Sequence, residues 1–490
     1  MTDATPRLPD GFAFGVATAG FQVEGGFNRP GQPRNNWYDR EAAGRVERSG
    51  AACDSWNRWE EDLDAVAAMG LDWYRLGVEW ARLQPSARSD ETSEPAWDDE
   101  AVARYVAMLA GARERGIEPL VTLHHFTHPR WLGLAFWERA ESPRLFARYA
   151  AEAAYRLGDG LVASGQRPLA RYVTLNEINA LAIQTWITGI FPGRGPGRLR
   201  AMSCGLDHLL AAHVLAFAEL HRLHRERGWP APVVTTNTWS TSIYELDRRL
   251  VDILLAPRRG VARDELRGHL AERRDEWLAL RRGFGGPDRS PAQRFVDTVA
   301  RVLGRPDPAE SAVADALEAP GADGALDVVA VDLYAPWAQG YLRFPGHRTS
   351  GGRSPLPYRE LWDDPPRPRS FAAFVRAATD HGLPVWILEN GLCSRVRDGV
   401  AYSRSDGWTR PRYLDEHVRA ATGLAAAGVP VEAYVHWSLY DNYEWGSYEP
   451  RFGIHGVDRT GPHPRRQAHD SMGDDSATAY AALVRSLREG

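Results

Sequence analysis

Apolar positions recur along this chain in two alternating rhythms. A stretch with one apolar helical face ends at a glycine, and a short continuous apolar run follows at once. Trp59, Leu63, Val66 and Met69 share a face at helical spacing, Gly70 follows, and Asp54 or Ser55 stands where a helix cap belongs. Residues 71–77 then read as a strand. Asp98 opens a second helix carrying Val102, Tyr105, Val106 and Leu109, Gly116 closes it, and 117–124 is the next strand. The same phrase returns late, with Gly382 before the run 383–388 and Gly428 before 429–435. Apolar strands alternating with helices belong to a parallel sheet buried on both faces. Eight strands are predicted, near 12–18, 71–77, 117–124, 170–175, 232–238, 326–333, 383–388 and 430–437. The expected fold is α/β, a single (β/α)8 TIM barrel with elaborated βα loops, with a doubly wound open sheet as the competitor.

One catalytic domain over 1–490 is expected, since barrels with insertions reach this length. The interruption at 240–325 is rich in Arg, Asp and Ala and reads as a partly helical insertion after strand five. Residues 343–369 read as a long loop after strand six, and 459–475 as a polar loop before a last helix at about 476–488. The net charge of −5, spread without long runs of one sign, argues against nucleic acid or an anionic membrane as partner. All 59 basic residues are Arg, so a lysine Schiff base is excluded, and with it pyridoxal phosphate enzymes and class I aldolases. Three distant cysteines, Cys53, Cys204 and Cys393, imply no disulfide framework. The first residues show no basic segment leading into an apolar one, and no apolar run of membrane-spanning length stands out. A cytoplasmic location follows as the expectation. No cofactor is called for, and a homo-oligomer is left open.

In such a barrel the chemistry sits at the carboxyl ends of the strands. Those ends read Gln22 just past strand one, Arg75, His124-His125, Asn176-Glu177, Asn237, Asp332 with Tyr334, Glu389-Asn390 and His436-Trp437. Core strands have no structural need for polar groups at one end only; a polar pocket above an apolar barrel does. Glu177 and Glu389 follow strands four and seven, roughly opposite across the mouth. A lone Glu there reads as a surface residue opening a loop. A facing pair is what a retaining glycosidase needs, with carboxyls about 5–5.5 Å apart. One protonates the leaving oxygen and the other attacks the anomeric carbon. Eighteen Trp supply aromatic faces that can stack on sugars, although core packing accounts for many. His124, His125 and His128 invite a zinc reading, but they span a strand end and a loop, so a sugar-binding His125 and no metal are expected. Gly193, Gly195 and Gly197 lack the Lys-Ser/Thr of a phosphate loop and read as a plain loop.

Several segments resemble glycoside hydrolase family 1, the β-glucosidase and β-galactosidase family, over about residues 9–488. They are Phe14-Gly15-Val16-Ala17-Thr18 with Gln22 and Glu24-Gly25, Thr122-Leu123-His124-His125-Phe126, Thr174-Leu175-Asn176-Glu177 and Ile387-Leu388-Glu389-Asn390-Gly391. The longest is His436-Trp437-Ser438-Leu439-Tyr440-Asp441-Asn442-Tyr443-Glu444-Trp445, followed by Arg451-Phe452-Gly453. The resemblance implies a retaining β-glycosidase acting on a small-molecule β-glycoside, with Glu177 as acid/base and Glu389 as nucleophile. It implies that Gln22, His125, Asn176, Glu444 and Trp445 hold sugar hydroxyls, that Trp437 lies under the ring, and that Arg75 and Tyr334 contact the nucleophile. Asn237 and Asp332 stand beside them as supporting residues. An Arg next to Glu389 is expected to lower its pKa, while burial and the Glu389 charge raise that of Glu177.

Three departures from the family pattern stand out. Ile178 replaces the Pro after the acid/base, Asn179 replaces a Trp that lines the aglycone site, and Asp332 replaces an Asn. The last adds a third carboxylate near the pair. The phospho-sugar branch lacks a carboxylate at the position of Glu444, which this chain keeps. Two rivals to hydrolysis remain, a transglycosidase on the same site and a non-catalytic sugar-binding protein.

Overall fold

The computed structural model describes residues 7–85, 94–284, 291–303, 311–322, 324–337, 347–349, 352–354, 365–397, 400–461 and 463–489. Its central sheet is built from Ala13–Ala17 (β1), Trp73–Gly77 (β2), Glu118–Thr122 (β3), Arg171–Val173 (β4), Val233–Thr235 (β5), Asn237–Trp239 (β6), Val329–Asp332 (β7), Val385–Glu389 (β8) and Val431–Trp437 (β9). All neighbours in it run parallel, in the order β5-β4-β3-β2-β1-β9-β8-β7-β6. The two edge segments, β5 and β6, are consecutive in the chain and separated only by Thr236. Strand five thus pairs with β4 through its first half and with β7 through its second, and the sheet closes into an eight-stranded barrel. Each strand lies on its predicted window, with Asn237–Trp239 and Val385–Glu389 each running one residue past it, and the open-sheet alternative falls.

Alternation along the strands sorts side chains into two apolar layers. Ala13, Trp73, Leu120, Val173, Val328, Ala330, Trp386, Ala433 and Val435 fill the barrel, where Trp73 and Trp386 meet edge to face with ring centroids 4.7 Å apart. Phe14, Tyr74, Val121, Tyr172, Val329, Val331, Ile387 and Tyr434 point outward into the layer shared with the helices. Two residues beyond Trp73, Arg75 continues the inner row and is fully buried above the Trp pair. Asp332 continues the inner row Val328, Ala330 in the same way. Glu389 follows Leu388, which faces inward, and the register with β7 shifts between Ile387 and Glu389. That irregularity lets a second consecutive residue reach the interior.

The helical phrase is as expected at Asp98, whose side chain accepts from Ala101 N at 2.9 Å and caps Asp99–Glu114. It differs at the earlier helix, which runs Trp59–Ala68 with Arg58 at its cap position. Asp54 instead takes a left-handed backbone, φ 57°, and accepts from the Asn57 side chain, so the chain turns once more before the helix begins. The insertion holds helices Arg248–Leu254, Leu266–Arg281, Pro291–Leu303 and Ala312–Leu317. Leu250, Trp277 and Val313 from it join the same apolar layer as the barrel helices. Most of the loop expected at 343–369 lies outside the described residues; within it His347–Thr349 pairs antiparallel with Gly352–Ser354. At 459–475 the polar loop includes Arg465–Arg466, paired with Val457–Asp458, before the last helix, Ser476–Glu489. One expectation is revised. Helix Leu199–Arg227 is long and apolar enough to cross a membrane by length and composition, with mean hydropathy 1.4 in its most apolar window. That window is 61% buried, and the helix packs on Ser142–Ala163 and Ala312–Leu317, as a barrel core helix does.

Candidate active site

The inner rows end in one hydrogen-bonded floor. Arg75 reaches from β2 with its guanidinium fully buried and uses it on four sides. Nε donates to Thr122 Oγ1 at 3.0 Å, and Nη1 donates to the Leu388 carbonyl at 3.3 Å and to Glu389 Oε1 at 2.6 Å. Nη2 donates to Asn176 Oδ1. Tyr334, just past β7, donates its hydroxyl to Glu389 Oε2 at 2.9 Å. Both oxygens of Glu389 are therefore fixed by donors. A bond from Leu333 N to the Glu389 carbonyl, 2.8 Å, ties the two strand ends together.

Two asparagines connect this carboxylate to Glu177. Asn176 Oδ1 also accepts from Asn237 Nδ2 at 2.8 Å, so two donors fix which end of the Asn176 amide faces the floor. Its Nδ2 then donates to His125 Nε2 at 3.3 Å. With Nε2 accepting, the neutral imidazole carries its proton on Nδ1. Burial and the Arg75 charge hold the His125 pKa well below the ordinary value, which keeps the ring neutral. The His125 ring lies nearly parallel to that of Trp437, 13° between planes and 5.5 Å between centroids. Asn237 spends its other bonds on Asp332 Oδ2 and on the backbone N–H of Glu177, 3.4 Å from its Oδ1. Glu177 itself sits at φ 39°, a left-handed backbone that side chains other than glycine adopt at a cost of about 1–2 kcal/mol. It starts the helix Ile178–Ala182, and Asn237 helps to hold the strained peptide.

One oxygen from each of Glu177, Asp332 and Glu389 lies within 4.8 Å of the others. The His124, His125 and His128 cluster does not converge in this way among the described residues. Three carboxylates can hold a hard cation, but here the Arg75 guanidinium already supplies the positive charge at Glu389. Burial pushes the Glu389 carboxyl above its ordinary range, and Arg75 and Tyr334 pull it back. The net direction is upward, so the expected lowering by Arg75 is outweighed by the loss of solvent. Burial, then the Glu389 and Asp332 charges, push Glu177 well above its ordinary value, with Arg75 opposing. Glu389 is the member of the cluster bonded to a cation, with a donor on each oxygen, so it is the one that ionises first.

One side of the cleft is closed by the loop after β9 and the turn after β1. Gln22, on the short helix Gly20–Val23, donates from Nε2 to Asn442 Oδ1 at 2.9 Å and to Glu444 Oε2 at 3.3 Å. Burial and the Glu389 charge raise the Glu444 carboxyl to about 8, against hydrogen bonds from Trp437 and Gln22. Trp445 takes a left-handed backbone, φ 52°, and its ring stands edge-on to Phe191 and Phe126. The cleft is lined by His125, Glu177, Glu389, Trp437, Glu444 and Trp445. Trp239, Ala335, Pro366, Leu392, Cys393 and Phe452 are among the groups that make up the rest of its wall.

Sequence reasoning placed Asn179 on the aglycone wall, where the structure does not put it. Asn179 is buried, and its amide pairs both backbone groups of Trp239, Nδ2 to the carbonyl at 2.7 Å and Oδ1 from N–H at 3.0 Å. A Trp cannot make that pair of bonds. The indole that lines the cleft here is that of Trp239, at the end of β6. The signal was present, an aromatic two residues past Asn237, but the strand was ended at the polar residue. Asn442 was also passed over, although it stands inside the longest matching segment.

A family model described as glycosyl hydrolase family 1 matches residues 4–253 and 363–485. The stretch it skips, 254–362, contains most of the insertion and all of β7, with Asp332 and Tyr334. The chain is 27% identical to a β-glucosidase of Agrobacterium over 94% of this chain and 93% of that protein. It is 25% identical to a β-galactosidase of Sulfolobus acidocaldarius, covering 92% and 91% of the two chains. The solved β-glucosidase of Thermotoga maritima in complex with noeuromycin has the same fold, with TM-score 0.69 and 22% identity over 98% of this chain and 99% of that one. With its family model matched over most of its length, this chain belongs to glycosyl hydrolase family 1 and is a glycoside hydrolase.

Proposed function

We propose that this hydrolase removes a terminal, non-reducing β-D-glucosyl, galactosyl or fucosyl residue with retention of configuration. Glu389 attacks the anomeric carbon and forms a covalent glycosyl-enzyme. Glu177 protonates the leaving oxygen and then, as carboxylate, takes a proton from the incoming water. The observation that carries this reading is the approach of Glu177 and Glu389 oxygens to within 4.8 Å across the cleft, with Arg75 paired to Glu389 and not to Glu177. An inverting pair stands about 6.5–9.5 Å apart to admit water between the carboxyls. Two relatives named for glucose and galactose epimers support a site tolerant at that centre. Gln22, Glu444 and the Nδ1–H of His125 offer the sugar hydroxyls acceptors and donors, and the Trp437 indole offers a face.

The test is stereochemical. Proton NMR of an aryl β-glucoside digest, recorded before mutarotation, should show the β-anomer of the free sugar first. An initial α-anomer would mean inversion and would overturn the reading.

A second reading draws on the apolar wall beside Glu177. Trp239, Pro366, Leu392 and Phe452 suit the carbon skeleton of an alcohol, and an acceptor seated there would divert the intermediate to transfer. Trp239→Ala should weaken binding of hydrophobic aglycones by about 1–2 kcal/mol, raising KM for aryl β-glucosides roughly 5- to 30-fold. Its effect on a methyl β-glucoside should be small. An equal change for both substrates would place Trp239 outside the aglycone contact.

A further inference from the structure

Asp332 is the one member of the carboxylate trio to which the mechanism gives no task. Its side chain is completely buried below the cleft, continuing the inner row of β7. Oδ2 accepts from Asn237 Nδ2, and the orientation of that amide is fixed by its bonds to Asn176 and Glu177. Oδ1 is buried and has no hydrogen-bond partner among the described residues. An ionised carboxylate with an oxygen so placed is costly, and holding a proton on it removes the charge and with it most of that cost.

Charge counting points the same way. The ionisable groups facing Asp332 are Glu389 from β8, Glu177 after β4, Arg75 from β2 and the Tyr334 hydroxyl, with Glu444 and neutral His125 farther across the cleft. Arg75 is the cation among them, and Glu389 takes its charge at 2.6 Å. Among the described residues facing them, no further cation is left to balance a charge on either Asp332 or Glu177.

We propose that Asp332 and Glu177 hold protons as a pair, so that the proton donor of this enzyme is two carboxyls rather than one. This rests on Glu177 being the acid/base. Asp332 is a positioning residue that acts through Glu177 and does not touch the sugar. Their oxygens are no more than 4.8 Å apart, a gap that one bridging water closes. In glycosylation the Glu177 proton passes to the glycosidic oxygen as the C–O bond breaks and the Glu389–carbon bond forms. Glu177 is then the anion, facing the Asp332 proton, while Arg75 keeps the site neutral. When one proton has left the resting pair, the other is held between two carboxylates. Part of the enzyme then keeps Glu177 protonated to higher pH than a lone Glu would.

Asp332→Asn is the test. Asn reproduces a protonated Asp in size, keeps an acceptor for Asn237 and cannot release the proton. The alkaline limb of kcat/KM should move to lower pH by on the order of one unit. The acid limb should stay, since it follows Glu389, which answers to Arg75 and Tyr334. Near neutral pH, the infrared difference between the resting wild type and the variant should contain the C=O stretch of a protonated carboxyl. That band needs no substrate, so it reads the Asp332 proton whatever role Glu177 has. Its absence would overturn the proposal. A band with an unmoved alkaline limb would overturn the sharing, because the proton would then be held by Asp332 alone. Failure of the acid/base reading shows separately, as full activity of a Glu177 variant on poor leaving groups.

Discussion

Glu389→Ala or Glu389→Gly is expected to abolish turnover of aryl β-glucosides, with a loss on the order of 10⁵–10⁶-fold, the scale on which removal of a covalent nucleophile acts. The geometry explains why no neighbour substitutes. Glu389 is the carboxylate with donors on both oxygens, Arg75 at 2.6 Å and Tyr334 at 2.9 Å, so it is ionised and aimed while Glu177 and Asp332 keep protons. The shortened side chain leaves a space on the attack side of the sugar, beside a guanidinium that attracts anions. Azide or formate should enter it and attack from the face opposite the leaving group. Part of the activity should return, and the azide product should have the α configuration, since one inversion then replaces two. A β-configured azide would mean that the added anion attacks an intermediate still formed elsewhere in the protein. Turnover near the wild-type rate without added anion would remove Glu389 from the mechanism. The folded state should survive the change, because Asp332 or Glu177 can ionise and restore a counter-charge to the buried Arg75.

The barrel was legible in the sequence because its strands are short, largely apolar runs, most of them preceded closely by a glycine, and burial on both faces leaves few polar residues to blur them. Gly116 and Gly428 take φ of 74° and 78°, the left-handed turn that frees each helix end to enter the next strand. The polar strand ends were legible for the complementary reason, since a charged group such as Arg75 has no place in an apolar row without a partner. What local pattern cannot carry is the direction of a side chain beyond a strand end. Asn179 has the composition of a cleft residue, yet its amide is spent on the backbone of Trp239, sixty positions along the chain. Glu389 breaks alternation through a register shift against β7 that depends on both strands. The balance of burial against Arg75 at Glu389 was misjudged for a similar reason. Contact with a cation is visible in a residue pairing, but the loss of solvent belongs to the whole enclosure.

Glu177→Ala is expected to lower activity by about 10²–10⁴-fold on substrates with poor leaving groups, the range for loss of a general acid. The loss in glycosylation should shrink as the leaving group becomes more acidic, because a dinitrophenolate departs without a proton. For such activated substrates the intermediate should accumulate, since deglycosylation still lacks its base, and a burst of phenol should precede a slow steady state. Azide should speed that steady state and yield a β-glycosyl azide, the opposite anomer from the Glu389 variants. The two products together would assign the residues to opposite faces of the sugar. Stability gives a further control. Glu177 is a buried carboxyl beside two others, and its backbone at φ 39° is strained. Removing the carboxyl relieves a burial cost without leaving a cation unpaired, because Arg75 binds Glu389 and not Glu177. The thermal midpoint should therefore hold or rise while activity falls. A large drop in midpoint would show that Glu177 supports the fold, and the kinetic loss could not then be credited to proton transfer. An equal loss for dinitrophenyl and alkyl glucosides, in a variant that folds normally, would exclude Glu177 as the acid.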